Sequence, residues 1–370
     1  MLTLILKGTN GCNLDCSYCS LGEKKNPEIV DLEMLISILD YVCRVVKYRN
    51  ENKVNVSLHG GEPTLIPAPI YREALKVIKK RFPDIEFFIS MQTNAYHITE
   101  DTISFLQEFD VNVGVSIDGS KGVHDKERKN KNGNATFDMV SKNIDYLLKE
   151  NINVSCLMVL TSIGLRDTFD FIQFYADRKL HLKINPLLNY GEVYKNPELS
   201  IEKGDYAHYL IRLYEYIIEN EIDINVSPLD KFITAVVEQK NILECTFNPE
   251  CNKNFLCIDY LGDIYPCGKF SDIKDYKIGN IASASLDLLN SKEMLGLLDR
   301  RCKKMPDNCK NCKYHSKCNA GCNAEAVIEG NINHVPVLCK DYQILFRYFE
   351  KDGLIFLREH LQRRKKYLGR

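Results

Sequence analysis

The placement of cysteine constrains this chain more than any other feature. Cys12, Cys16 and Cys19 stand within eight residues near the start, only Cys43 and Cys156 follow through the middle, and ten of the fifteen fall between Cys245 and Cys339. An odd total and close C-x-x-C spacings favour metal ligation over disulfides, hence a reducing compartment. The opening Met-Leu-Thr-Leu-Ile-Leu-Lys is too short for a secretory apolar segment, and no stretch approaches the roughly 18 apolar residues of a membrane span. The expectation is a cytoplasmic protein with no membrane partner. With 49 basic and 50 acidic side chains the net charge is −1, so no polyanion-binding surface is written into the balance and no nucleic-acid partner is expected. A chain 45% hydrophobic and 27% charged can bury a core, which excludes a mostly disordered protein.

From residue 2 to about 190 one pattern repeats: a short β-branched apolar run, a polar or glycine-bearing turn, then an amphipathic stretch. Six strands are predicted, Leu2 to Lys7, Val54 to Leu58, Phe87 to Met91, Val111 to Ile117, Val154 to Leu160 and Leu182 to Leu188. Helices are predicted near 33–49, 69–81, 100–108, 136–149, 166–178 and 203–221. Such alternation implies parallel, right-handed βαβ units, arranged as an incomplete barrel or a doubly wound sheet. The division expected is a body over 1–225, a connection over 226–244, a cysteine-rich module over 245–340 leaning on metal, and a C-terminal helix over 341–370. Within the module, Phe255 to Tyr260 and Ile264 to Cys267 read as a hairpin turning at Leu261-Gly262-Asp263. Cys43 and Cys156 lie on apolar faces and read as core. The run Arg363, Arg364, Lys365 and Lys366 reads as a solvated helix end.

Gly11-Cys12-Asn13-Leu14-Asp15-Cys16-Ser17-Tyr18-Cys19 sets three thiols directly after the first strand, with no fourth Cys or His nearby. Three thiolates can hold three irons of a [4Fe-4S] cluster and leave the fourth open, the logic that separates catalytic from structural zinc sites. A zinc ion borrowing a distant ligand would use the same spacing.

This C-x3-C-x2-C loop, with an aromatic before its last cysteine, resembles the radical S-adenosylmethionine (SAM) enzymes. The resemblance implies a partial (β/α)6 TIM-type barrel, α/β in class. It also implies SAM bound to the open iron and cleaved by one electron to a 5′-deoxyadenosyl radical. Cys12, Cys16 and Cys19 match the cluster ligands and Tyr18 the aromatic beside the adenine. Three further motifs each follow a later strand, where a parallel βα fold assembles its site. His59-Gly60-Gly61-Glu62-Pro63 is similar to the family's Gly-Gly-Glu-Pro turn, which implies that Gly60, Gly61 and Glu62 meet the SAM ammonium. Gln92-Thr93-Asn94 resembles a Thr-Asn element, adding Asn94. Ser116-Ile117-Asp118-Gly119, with His124, Arg128, Gly133 and Thr136-Phe137, looks like the peptide- and protein-modifying branch. Carried over, Ser116 and Asp118 sit at the SAM ribose and Arg128 at its carboxylate. Ala135 stands where relatives often have a second glycine, and His124 taken alone reads as a structural hydrogen-bonding residue.

The spacing Cys309-x2-Cys312-x5-Cys318-x3-Cys322-x16-Cys339, preceded by Cys251-x10-Gly262-x4-Cys267, resembles the SPASM extension with two auxiliary [4Fe-4S] clusters. The resemblance assigns Cys245, Cys251, Cys267 and Cys322 to the first and Cys309, Cys312, Cys318 and Cys339 to the second. Cys257 and Cys302 are extra thiols, Cys257 being the alternative to Cys245. A zinc ion with four thiolates would also accept the spacing of Cys309 to Cys322. The cofactors implied are therefore three [4Fe-4S] clusters and SAM.

An oxidative outcome requires removal of a second electron, for which a fully ligated cluster is a natural acceptor. Relatives with this layout modify peptides or proteins: anaerobic sulfatase maturases oxidise Ser or Cys to formylglycine, and peptide maturases close thioether or carbon–carbon crosslinks. In the sulfatase type an Asp directly after the Pro-Cys of the hairpin acts as base; here that position is Gly268. The expectation is therefore crosslinking of a ribosomally made peptide, with formylglycine formation or a non-catalytic electron-transfer role as the alternatives. The partners implied are a peptide or protein substrate and a low-potential donor of flavodoxin or ferredoxin type. A first strand at residue 2 predicts no leader-binding domain ahead of it, so the body or a separate leader-binding protein would grip the peptide.

Overall fold

A computed structural model describes residues 1–21, 27–238, 245–273 and 275–367. The side chains of Cys302 and of the basic run from Arg363 to Lys366 lie outside what is described. Six parallel strands form the heart of the molecule: β1 (Leu2–Lys7), β2 (Lys53–His59), β3 (Glu86–Thr93), β4 (Asn112–Ser116), β5 (Val154–Leu160) and β6 (His181–Pro186). Each pairs with the next in chain order. A doubly wound sheet reverses direction at a switch point, and these six never do, so the order is that of an open barrel.

The strands alternate as a half-buried sheet should. Leu2, Leu4 and Leu6 are at most 1% exposed and pack into the core, whereas Ile5 and Lys7 line a central cavity. The helices Leu32–Tyr48, Ala68–Arg81, Glu100–Glu108 and Phe137–Lys149 supply the outer layer. Asp31 caps the first by accepting from the Met34 amide at 2.8 Å, and Thr99 caps the third by accepting from Thr102 at 3.1 Å.

Three features differ from expectation. The helix predicted over 166–178 is helical in α form only over Ile172–Asp177. Asp167 and Thr168 are extended, and the Asp167 carboxylate accepts from the Ser120 amide at 2.8 Å, so this turn serves the loop after β4. The stretch expected as a connection carries the strand β7 (Val226–Ser227), paired with β6, and the helix Leu229–Val237. The hairpin also does not stand apart. Its strands β8 (Phe255–Asp259) and β9 (Asp263–Tyr265) turn at Gly262 with φ of +77°, and β8 lies parallel to β1 in the main sheet. With β10 (Gly279–Asn280) the sheet reads β10-β9-β8-β1-β2-β3-β4-β5-β6-β7. An apolar edge strand such as β1 exposes unpaired backbone groups, and β8 satisfies them.

Beyond the sheet the chain is held by short helices, Lys292–Cys302, Asp307–Lys310, His315–Cys318 and Asn323–Glu329, then by the longer Cys339–Glu350 and Asp352–Tyr367. Among the described residues no helix is long and apolar enough to cross a membrane. Cys43 and Cys156 are 0% and 1% exposed within the core, as their faces predict, and burial pushes both thiols up to about 12.

Candidate active site

The loop after β1 is held by its neighbours rather than by its own regularity. Leu14–Cys16 pairs antiparallel with Arg128–Asn130, and the Ser17 amide donates to the Glu127 carbonyl at 3.0 Å. The Gly60-Gly61 turn docks against the same loop: the Gly61 amide donates to Thr9 and the Glu62 amide to Gly11, both at 2.8 Å. The approach is too close for side chains. A Cβ on Gly61 would lie 1.8 Å from the Gly11 carbonyl oxygen, and Gly60 has φ of +124°. Gly133 is likewise left-handed at +78°, while Ala135 is not, so alanine there needs no special backbone.

Glu62 is fully buried and ties the turn to the end of β3. Its Oε1 accepts from the Thr93 hydroxyl at 2.6 Å and the Thr64 hydroxyl at 2.8 Å, and its Oε2 from the Asn94 amide at 2.7 Å. Burial raises its carboxyl above the ordinary range, and these donors pull the other way. Asn94 Nδ2 in turn donates to Asn13 Oδ1 at 2.8 Å and lies 3.6 Å from Cys12 Sγ. Hydrogen bonds to sulfur are one lever on the potential of a thiolate-bound cluster.

After β4, Ser116 Oγ faces the cavity and accepts from Gln92 Nε2 at 2.9 Å. Asp118 is not on the cavity wall. It has no exposed surface, and its Oδ2 accepts from the Tyr18 hydroxyl and from Arg128 Nε, the latter at 2.6 Å. Its Oδ1 accepts from the Val159 amide at 2.9 Å. Arg128 lies 5.3 Å from the Tyr18 ring centroid. Burial works against the Arg128 charge, but Asp118 and its other neighbours hold it well above the usual guanidinium range; burial first, then Asp118, push Tyr18 well above the usual phenol range. The pair Asp118–Arg128 thus fixes both Tyr18 and the cation that lines the cavity. Behind them the buried His124 accepts from the Asp118 amide at 3.2 Å and meets Thr136 Oγ1 at 3.0 Å; burial pushes it down to about 4. That is the structural role its sequence context suggests.

These groups converge on one cavity of about 620 Å³, within the usual range for a small-molecule site. Cys12, Cys16 and Cys19 line it, as do Tyr18, Gly60, Gly61, Glu62, Asn94, Ser116 and Arg128. Cys245, Cys251, Cys267 and Cys322 line it too. Cys309, Cys312, Cys318 and Cys339 line a second, smaller pocket of about 20 Å³. Cys257, fully buried in β8, lines neither, and burial pushes its thiol up to about 12. Among the described residues no three or more His, Cys, Asp or Glu side chains converge on a point that one metal ion could occupy. A zinc would draw its sulfurs to about 2.3 Å from one centre. The cysteines instead line cavities, with His59 on the wall of the larger and His315 on that of the smaller, and sets dominated by soft thiol donors suit iron-sulfur clusters.

The comparisons decide the family. A radical SAM superfamily model matches residues 6–174, and a SPASM model, an iron-sulfur cluster-binding domain, matches 245–313. The chain is a radical SAM enzyme with a SPASM extension. Its cofactors are SAM and [4Fe-4S] clusters, one main and the others auxiliary. The cysteine-type anaerobic sulfatase-maturating enzyme of Clostridium novyi is 28% identical over 360 residues, covering 94% of each chain. The structure described as native anSMEcpe with bound AdoMet and Cp18Cys peptide superposes with a TM-score of 0.81 at 23% identity, covering 97% of this chain and 99% of that one. Streptococcus suis SuiB bound to its precursor peptide SuiA gives 0.65 at 18% identity, covering 91% and 76%. At these identities both structures speak to the fold, which is the radical SAM α/β fold with a mixed, mainly parallel sheet.

Several cavity residues of this radical SAM enzyme escaped the motifs. Lys7, at the end of β1, forms a buried ion pair with Asp272, whose other oxygen accepts from Ser20 at 3.0 Å. His59 and Tyr190 complete this wall; burial first and Lys7 next push His59 down to about 4, so it is neutral at physiological pH. The signal available was a lysine at the inward position of an otherwise apolar strand. Its partner lies 265 residues away and had none.

Proposed function

We propose that this radical SAM enzyme is a peptide maturase that removes two hydrogens from a ribosomally made peptide and closes a thioether or carbon–carbon crosslink. The observation that supports it is that the loop of Cys12, Cys16 and Cys19 and the set Cys245, Cys251, Cys267 and Cys322 face one cavity. When bound, the cofactors supply one-electron cleavage of SAM, a hydrogen-abstracting radical and an acceptor for the second electron. The chain's part is to position and to manage protons. Glu62, Asn94, Ser116 and Arg128 would hold SAM against Tyr18, with Asp118 orienting Tyr18 and Arg128 from behind.

The crosslink reading is favoured by Gly268. It offers no carboxylate after Cys267, and a Cβ there would meet Ile5 Cδ1 at 3.2 Å. Oxidation of an alcohol or thiol to an aldehyde needs a proton acceptor within hydrogen-bond reach. The carboxylates on this side of the cavity are engaged, Asp272 by Lys7 and Ser20 and Glu325 by Lys269 and Tyr342. Formylglycine formation is the second reading, and it is favoured by the likeness to the C. novyi enzyme over 94% of both chains. The substrate partner is thus a peptide or protein, and a flavodoxin- or ferredoxin-type donor supplies the enzyme with the electron that cleaves SAM. A leader-binding partner would be needed where the body does not grip the precursor.

The test is incubation of the holoenzyme with SAM, reductant and, separately, a small precursor encoded beside its gene and a sulfatase peptide. Crosslinking predicts a precursor lighter by two hydrogens with no aldehyde reactive toward a hydrazine. A hydrazine-reactive sulfatase peptide and an unchanged precursor would replace this reading with the second.

A further inference from the structure

Two neighbouring buried arginines have no carboxylate partner among the described residues. Arg300 and Arg301 end the helix Lys292–Cys302 and are 2% and 1% exposed. Burying a guanidinium is costly unless an anion faces it. Among the described residues, however, every hydrogen-bond acceptor they use is neutral. Arg300 donates to the carbonyls of Ile332, Ala320 and His334 and to Asn323 Oδ1, and Arg301 to the carbonyl of Asn248. Arg301 Nε and Nη2 are buried with no acceptor.

The groups Arg300 bonds lie among the cysteines: Ala320 stands between Cys318 and Cys322, and Asn323 directly follows Cys322. Arg300 acts on Cys309 and Cys318 of one cysteine set and on Cys322 of the other. Arg301 acts on Cys251, where it opposes the effect of burial on the thiol. A hydrogen-bonded chain runs the same way: Arg300 to Asn323 Oδ1 at 3.0 Å, Asn323 Nδ2 to Asn252 Oδ1 at 2.9 Å, and Cys251 Sγ to Asn252 Oδ1 at 3.5 Å. The pair is thus tied by hydrogen bonds to segments that carry cysteines of both sets.

We propose that Arg300 and Arg301 are the built-in counter-charge of the two auxiliary clusters and set their reduction potentials. A cluster ligated by four thiolates is anionic and gains a further negative charge on reduction. A fixed cation in a medium of low dielectric favours the reduced state, and removing it makes the cluster harder to reduce. Both are positioning residues, since neither touches the cavity where substrate would bind. The inference rests on these eight cysteines holding clusters and is independent of which peptide is modified.

The test is a potentiometric titration of the reconstituted holoenzyme, followed by electron paramagnetic resonance, for the wild type, Arg300→Gln, Arg301→Gln and Arg301→Lys. With iron content unchanged, each Gln variant is expected to show at least a tenfold lower reduced-to-oxidised ratio of an auxiliary cluster at fixed potential. That corresponds to about 59 mV for one electron. Arg301→Lys should restore most of the shift. If Arg301→Gln loses iron while Arg301→Lys keeps it near the wild-type potential, charge is again the requirement and the proposal stands. Unchanged potentials in loaded Gln variants overturn it, as does loss of iron in Arg301→Lys and Arg301→Gln alike. Formation of 5′-deoxyadenosine depends on the first cluster and reports separately on the radical SAM chemistry.

Discussion

Around Cys12, Cys16 and Cys19 the buried carboxylates Asp118 and Glu62 meet protein partners: Arg128 and Tyr18 for the one, Thr64, Thr93 and Asn94 for the other. Around Cys309 and Cys322 the buried Arg300 and Arg301 bond to neutral oxygens. The first region is carried on parallel strands packed into one apolar core, and Asp118 and Glu62 are paired there without iron, although Ser17 Oγ and Glu127 Oε2 are buried with no partner. The second is carried on short helices, and among the described residues its buried arginines pair with no carboxylate. Metal should therefore be a guest in the barrel and part of the fold in the SPASM segment.

Removing iron with a chelator under reducing conditions should have the largest effect. Amides over 292–339 are expected to lose most of their hydrogen-exchange protection, while β2 to β5 keep theirs. Equal loss in both regions would erase the contrast. Asp118→Asn comes next, because it leaves Arg128 buried without its counter-charge. Breaking such a pair costs about 3 to 5 kcal/mol. Chemical denaturation should register that loss, and equilibrium dialysis should show SAM binding weakened at least tenfold with iron content retained. Normal SAM affinity in this variant would remove Asp118 from the site.

Gly61→Ala should cost about 1 to 3 kcal/mol by overpacking. Its Cβ meets the Gly11 carbonyl, so the first cluster alone should be poorly loaded, as read by iron analysis and electron paramagnetic resonance. Cys156→Ala should have the smallest effect, about 1 kcal/mol of stability and no loss of iron. Iron loss there would mean that the core thiol is a ligand after all.

The six strands and five of the six predicted helices of the body were legible in hydrophobic periodicity, because each is a local pattern with a local cause, whereas the short helix Lys121–Glu127 was not predicted. The helix over 166–178 was not, since Asp167 is diverted to the Ser120 amide on another loop. The cysteine spacings and the polar turns after β1 to β4 were legible because those residues are close in sequence. The sheet carries the rest. Pairing of β8 with β1 joins residues some 250 apart, and that pairing brings Asp272 to Lys7 and Cys267 into the cavity of Cys12. Asp118 carried a motif, yet its burial behind Tyr18 could be seen only once Arg128 and Val159 were in place. Arg300 and Arg301 look like the solvated end of an amphipathic helix until the cysteine-bearing segments close over them.

The most direct measurement of the central claim, that three thiolates leave one iron open to SAM beside Tyr18, is electron paramagnetic resonance of the reduced holoenzyme with and without SAM. It should be paired with assay of 5′-deoxyadenosine. The account predicts that SAM alters the signal of the cluster held by Cys12, Cys16 and Cys19, leaves the auxiliary signals unchanged, and is cleaved. A signal indifferent to SAM with no 5′-deoxyadenosine formed would contradict it.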